Sequence, residues 1–406
     1  MKIDLIDRAQ HGAAFEKALL TDTLPFWLEH GMDQEYGGLM TALDRTGDVV
    51  DSDKAVWPMG RFCWLLATLH NNVEQRQEWL DAALSCLNFL ERHAFDDDGK
   101  MFFMLTREGR PLRKRRYVYS EAFGSMSYAA CAKATGNQAY AQRAVELFEQ
   151  YIDYSFTPGK MDPKGIPGTR PAKAMGPLMI GINIAQTLRE CIDYADANLW
   201  IDRWIGEIQR DFCKPELAAL MEMVADDGSL IDHFDGRLLN PGHAMEAAWF
   251  ILHEAKLRDE MASAKAVSES EFTSASLIQL GTDIADWTWQ RGWDQEHGGI
   301  LYFCDVHGKP VTEYWHDMKF WWPHNEAILA NLLAYLLTDQ PRFAERYLQT
   351  HKWAHKHFAD PEHGEWFGYL HRDGSRSSDL KGNHWKGPFH LPRMQYYCWK
   401  WLSESK

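Results

Sequence analysis

The chain has 406 residues, 45% of them apolar, with 18 Trp, 20 Phe and 15 Tyr, enough for a large core. A formal charge of −15 argues against a nucleic-acid or anionic-lipid surface, and no apolar run approaches the ~20 residues that cross a bilayer. Seven cysteines stand singly, an odd number with no Cys-x-x-Cys pair, which fits neither a disulfide framework nor a zinc knuckle. Free thiols and an N-terminus without a cationic apolar leader point to a reducing, cytoplasmic setting.

Apolar positions at helical spacing predict an opening helix over 4–30. Then comes Asp33-Gln-Glu-Tyr-Gly-Gly38, a short alternating stretch with a Gly turn, and Val56-Trp-Pro-Met-Gly-Arg61, where a helix begins and runs to about 70. Residues 75–94 carry a single apolar stripe (Trp79, Leu80, Ala83, Leu84, Leu87, Leu90). The unit of helix, hairpin loop and helix then recurs. Helices are predicted at 121–134 and 138–154, 174–194 and 197–213, 243–257 and 275–291, 324–338 and 342–358, and 391–404. The cluster Arg113-Lys-Arg-Arg116 reads as a solvated hairpin turn, and 258–276, polar and rich in small residues, as a surface insertion.

The copies are visible in the letters. Asp294-Gln-Glu-His-Gly-Gly299 leading to Trp321-Trp-Pro-His-Asn-Glu326 repeats the first hairpin and helix start, with Glu326 in the place of Arg61. Looser copies end on Glu121, Met179, Glu246 and His390, so six units recur at roughly 60–80 residues. A helix pair cannot bury its apolar face alone, so the predicted fold is all-α. It is a single domain over 1–406, an (α/α)6 barrel of six inner and six outer helices, with short β-hairpins in the long loops at one end. The repeat ends then point into one mouth. Trp57, Tyr119, Trp322 and Phe389, placed where loops meet helices, are candidate sugar-stacking surfaces, with Glu121, Met179 and Glu326 as further substrate contacts.

Asn240-Pro-Gly-His243-Ala-Met-Glu246 sets a histidine and a glutamate three apart on one helix face, and His390 opens another repeat's helix. A histidine at a helix N-terminus is held toward its neutral form and can accept a proton near neutrality. Glu246 is placed to orient or balance His243. Paired His351 and His355 lack a third ligand on their face, so an outer helix surface is the expectation there rather than a metal site. No phosphate loop and no serine-nucleophile motif is present.

Taken together, these motifs, with Ala174-Met-Gly-Pro-Leu-Met179 and Lys386-Gly-Pro-Phe-His-Leu-Pro-Arg393, resemble the N-acylglucosamine 2-epimerase family from about residue 15 to 402. The resemblance implies the same barrel and cofactor-independent epimerisation at C2 of a sugar. It also implies His243 and His390 as the catalytic histidines, Arg61 near the C1 and C2 oxygens, Glu246 as the acid paired with the first histidine, and a homodimer. The cellobiose epimerase and mannose isomerase branches carry a histidine at the start of the third inner helix. This chain has Ala174-Met-Gly-Pro there, which disfavours those activities. The expected reaction interconverts N-acetylglucosamine and N-acetylmannosamine. Aldose–ketose isomerisation, epimerisation of free mannose and glucose, a glycoside hydrolase on the same toroid and a non-catalytic sugar binder are the alternatives, and nucleotide activation stays open.

Overall fold

The computed structural model describes residues 5–114, 118–162, 166, 168–263 and 270–404. Helices are numbered in chain order: α1 (Arg8–Ala18), α2 (Leu24–His30), α3 (Val56–Asn72), α4 (Gln77–His93), α5 (Tyr119–Thr135), α6 (Gln138–Phe156), α7 (Gly176–Ile192), α8 (Ala197–Glu207), the single turn α9 (Phe234–Arg237), α10 (Pro241–Ser263), α11 (Ser274–Gly292), α12 (Trp321–Thr338), α13 (Pro341–Phe358) and α14 (His390–Glu404). The inner helices are α3, α5, α7, α10, α12 and α14. In α12 every residue from Trp321 to Tyr335 is buried, the signature of a helix enclosed on all sides. Its outer partner α13 buries only Phe343, Ala344, Tyr347, Thr350, Ala354 and Phe358, one stripe at helical spacing. Each fully buried Leu or Ile of the inner ring contributes roughly 1.5–3 kcal/mol.

Closure of the ring is visible where the two ends of the chain meet. On α14, Tyr396 shares a hydrogen bond with Asn72 of α3 at 3.3 Å, and α1 packs along α14. Trp-Pro pairs start α3 and α12 because proline is tolerated in a first turn, where its missing N–H costs nothing.

The mouth is tied together differently from the expected local hairpins. The strand preceding an inner helix pairs with the neighbouring loop: Lys54–Ala55 with Met104–Leu105, Lys173–Ala174 with Met223–Val224, Leu238–Leu239 with Cys304–Asp305, and Lys319–Phe320 with Tyr369–Leu370. Local hairpins occur as well, as at Ala42–Leu43 with Val49–Asp51.

Ion-pair clamps reinforce these loop contacts. Asp33 takes Lys54 of its own loop at 2.9 Å and Arg107 of the next loop at 2.9 Å. In the same way Asp294 takes Lys319 and Arg372, each at 2.9 Å. Asp360 takes Lys381 at 3.0 Å and, across the seam of the ring, Arg45 at 2.7 Å. The Gly-Gly pairs of the hairpins have a definite cause. Gly298 and Gly299 both have positive φ (72° and 76°), and a Cβ on either would meet the Trp353 indole at 2.7–2.8 Å.

Several expectations shift. The opening helix is not continuous: a π-turn at Leu19–Thr23 separates α1 from α2, with the Leu24 N–H reaching back five residues to Leu19. Pro25 follows at once and cannot donate to a carbonyl four residues back, so the register widens there. A similar turn, Ile208–Phe212, ends the helix expected over 197–213. α10 runs to Ser263, six residues into the expected insertion, and 264–269 lie outside the described residues. In the basic cluster, Lys114 pairs with Asp96 and Asp98, while 115 and 116 lie outside the described residues. His351 and His355 are not a solvated pair. Their ring centroids lie 3.9 Å apart with the planes tilted by 31°, and His351 meets His11 of α1 at 5.1 Å.

Candidate active site

α10 opens on the Asn240-Pro241 turn, where the Asn240 side chain accepts from the His243 N–H at 3.2 Å and caps the helix. His243 is thereby held in the first turn, with its Nδ1 2.9 Å from Glu222 Oε1. Glu222 comes from the segment between α8 and α9, and its own carbonyl accepts from the Met175 N–H just ahead of α7. His390, the first residue of α14, has Nδ1 2.7 Å from Glu326 Oε1 in the second turn of α12. One turn along α14, Arg393 bridges Glu246 Oε1 at 2.6 Å and Glu326 Oε1 at 2.8 Å. The Trp249 indole N–H fills the other Glu326 oxygen at 2.6 Å. Inner helices α10, α12 and α14 are thus joined by one buried polar network. Such a network is costly if half satisfied and rigid if complete.

Both histidine rings rest on Trp322. Ring centroids lie 5.2 Å away for His243 and 5.5 Å for His390, each tilted by nearly 40°. Arg61 of α3 completes the cluster. Its guanidinium lies over the Phe123 ring at 4.0 Å and the Phe389 ring at 4.7 Å, and its buried Nε has no protein partner. Burial lowers its pKa to about 9, partly countered by Glu246 and Glu326. It remains a cation at neutral pH with donors to spare.

The two histidines differ in charge preference. Burial pulls His243 down, but Glu222, helped by Glu246 and Glu326, outweighs it, and the net direction is up. About a third of the His243 side chain is still exposed, which limits what burial can do. His390 is held well below the usual histidine range by burial and then by the Arg393 charge. A shared helix-start position therefore does not make both neutral; their neighbours decide. With Nδ1–H donated to the Glu326 carboxylate, His390 keeps a free Nε2 lone pair. Glu246, Glu326 and His390 bring three potential metal ligands within 4.8 Å of one another. The Arg393 guanidinium already bridges both carboxylates, so a cation would have to displace it.

Most, but not all, of the residues chosen from sequence converge. His243, His390, Arg61, Glu246, Trp322, Glu326 and Phe389 share the cluster. Within it, the carboxylate on His243 is Glu222 rather than Glu246, which serves Arg393 instead. Both Glu326 oxygens are engaged by protein donors, so it orients His390 rather than binding substrate. Phe389 is buried between the Arg61 and Arg393 guanidinium groups. Trp57 and Tyr119 meet edge to face at 5.4 Å, and Trp57 also meets Phe103 and the exposed Trp385, forming an aromatic wall. Met179 is buried in the core at the start of α7.

Glu121 belongs elsewhere. Its carboxylate accepts from the Met101 N–H at 2.7 Å, and burial pushes its pKa up to about 7. His324 does the same work in its repeat, its Nε2 accepting from the Ile300 N–H at 2.8 Å. The true counterpart of Arg61 and Glu326 is therefore Phe123, two residues on. Sequence reasoning missed Glu222, Arg393, Trp249 and Trp385. For Arg393 a signal existed, since two buried glutamates on neighbouring helices call for a cation.

Comparison with known proteins places the chain in a family. The profile of the N-acylglucosamine 2-epimerase (GlcNAc 2-epimerase) family matches residues 37–390. The N-acylglucosamine 2-epimerase of Bos taurus is 35% identical over 394 residues, covering 95% of this chain and 89% of its own. A cellobiose 2-epimerase of Bacteroides fragilis is 24% identical, covering 93% and 96%. Among solved structures, the cellobiose 2-epimerase of Bacillus thermoamylovorans superposes with a TM-score of 0.80 at 20% identity, covering 98% of this chain and all of that one, which shows a shared fold. With a family profile over most of its length and a relative above 30% identity end to end, the chain belongs to the N-acylglucosamine 2-epimerase family and is a sugar 2-epimerase.

Proposed function

We propose that this sugar 2-epimerase interconverts N-acetylglucosamine and N-acetylmannosamine. The observation that carries the reading is the pair of unlike imidazoles on one indole, beside a guanidinium with an unpartnered buried N–H. The identity gap between N-acylglucosamine and cellobiose 2-epimerases, 35% against 24%, supports the N-acyl substrate.

The open-chain sugar presents its C1 carbonyl to Arg61. Neutral His390 removes the C2 proton through Nε2, and the electron pair moves onto the C1 oxygen. The Arg61 charge stabilises the resulting enolate, whose C2 keeps its acetamido nitrogen, in a water-poor site, where such contacts are strong. His243, held as a donor, returns a proton to the opposite face of C2, inverting it. His390 then carries the proton and His243 is neutral, the state from which the reverse reaction starts. The conversion is redox-neutral, so no oxidant or reductant is needed, and the proposal is cofactor-independent. Seven free thiols are compatible with the cytoplasmic setting that belongs to this reading. The same reading includes a homodimer, on the family resemblance alone, and light scattering of the purified protein would test it.

Incubation with N-acetylmannosamine, mannose and cellobiose in deuterium oxide, followed by proton NMR, tests the substrate. N-acetylglucosamine carrying deuterium at C2 is expected. Turnover of cellobiose or mannose alone, or a ketose product, would overturn the assignment.

A further inference from the structure

We propose that Glu222 is a positioning residue for epimerisation: it fixes the His243 ring through Nδ1–H and holds that histidine in its proton-donating form. The geometry is specific. The Glu222 carboxylate lies 2.9 Å from Nδ1, and its backbone carbonyl is anchored to the Met175 N–H at 3.0 Å. The strand that follows it, Met223–Val224, pairs with Lys173–Ala174. The carboxylate is therefore delivered by a tethered segment from the neighbouring repeat. With Nδ1 pinned on one side, Nε2 on the far side of the ring is left for the substrate, and Trp322 fixes the plane.

Other charges reach His243 from several elements. Glu246 lies on its own helix and Glu326 on α12. From α14, His390 is close enough to couple to it, and Arg393 holds both glutamates. Arg61 of α3 couples to the same two glutamates. Arg393 spans Glu246 and Glu326 and offsets part of their charge. Among the described residues, Glu222 is the one carboxylate hydrogen-bonded to the His243 ring. Beyond it stands Tyr302, whose hydroxyl is pushed up mainly by burial and partly by Glu222.

The inference rests on the proposed two-histidine reaction, but its first test needs no substrate. The His243 ring signal, identified by its loss in His243→Asn, is titrated by NMR in wild type and Glu222→Gln. The glutamine oxygen can still accept from Nδ1–H, so the substitution removes charge while keeping shape. The midpoint is expected to fall by roughly 1–2 pH units, with Glu222→Asp intermediate. An unmoved midpoint in a folded Glu222→Gln protein would overturn the proposal. The second test follows kcat and KM against pH in both directions. Glu222→Gln is expected to move the His243 limb to lower pH in each direction and, in the direction in which His243 donates, to lower kcat at pH 8 by about 10-fold or more, leaving KM within about 3-fold. A rise in KM alone would overturn it, since that marks a substrate contact instead. Wild type inactive toward the N-acyl pair would sink the substrate assignment while the titration still decided the role of Glu222.

Discussion

Glu326→Gln is the substitution that probes the polar network most sharply. One glutamate oxygen receives His390 and Arg393, the other the Trp249 indole. A glutamine can offer an acceptor to one side only. If its oxygen faces Arg393, its amide N–H collides with the Trp249 N–H across a 2.6 Å gap. If it turns over, the amide donates to His390 Nδ1, forcing the proton onto Nε2 and removing the base. In either orientation Arg393, fully buried, loses one of two counter-charges. Breaking a buried ion pair costs about 3–5 kcal/mol. For a chain of this size, unfolding entropy makes each kcal/mol roughly 1 °C, so thermal unfolding should fall by about 3–6 °C. Loss of the orienting carboxylate beside a catalytic histidine should lower kcat by roughly 10²–10⁴. Calorimetry and epimerisation kinetics on the purified variant measure both. A variant within 2-fold of wild-type kcat, with an unchanged midpoint, would refute the claim that Glu326 sets the His390 tautomer.

Further outcomes follow from the same structure. Arg61→Lys keeps the charge but gives up the planar group held between Phe123 and Phe389, and kcat/KM should fall by about 10²–10³ with little loss of stability. Asp294→Asn leaves the fully buried Lys319 without its carboxylate and should destabilise by about 3–5 kcal/mol, read by thermal circular dichroism. Burial alone would raise the carboxyl groups of Asp33, Asp294 and Asp360, but their Arg and Lys partners hold all three far below the usual range. Their stabilisation is complete above about pH 4 and lost as pH falls through the folded values, so the loop clamps should fail together in acid melts. His11, His351 and His355 are lowered chiefly by burial, His351 to about 2. Their neutral packing stabilises above about pH 6.5, and unfolding gains protons below it. Stability measured from pH 7 to pH 5 should decline, and less so in His351→Phe.

Much of this was legible in the sequence because the repeat imposes a period on it. Helix positions, inner and outer, followed from apolar spacing, and the Trp-Pro starts marked where inner helices begin. What escaped depends on partners brought in by closure. Asp33 and Asp294 stand out as repeated letters, yet Arg107 and Arg372, their clamps, lie in the next loop and carry no local signal. Glu222 sits in an irregular segment with no helical period to aim it. The Glu121 alignment slipped by two residues because Tyr-Ser-Glu offers no proline to fix register, and only the bond to Met101 reveals its equivalence to His324. Pairing His243 with Glu246 was reasonable for a shared helix face, but Arg393, arriving from α14, claims that carboxylate first.

The two-base claim is tested most directly by C2 hydrogen exchange in deuterium oxide, run from each epimer separately with His243→Ala and His390→Ala. Both variants should fold and lose inversion, while each still exchanges the C2 proton of one epimer, the opposite epimer in the two cases. Inversion surviving in either variant, or both variants exchanging the same epimer, would contradict the account.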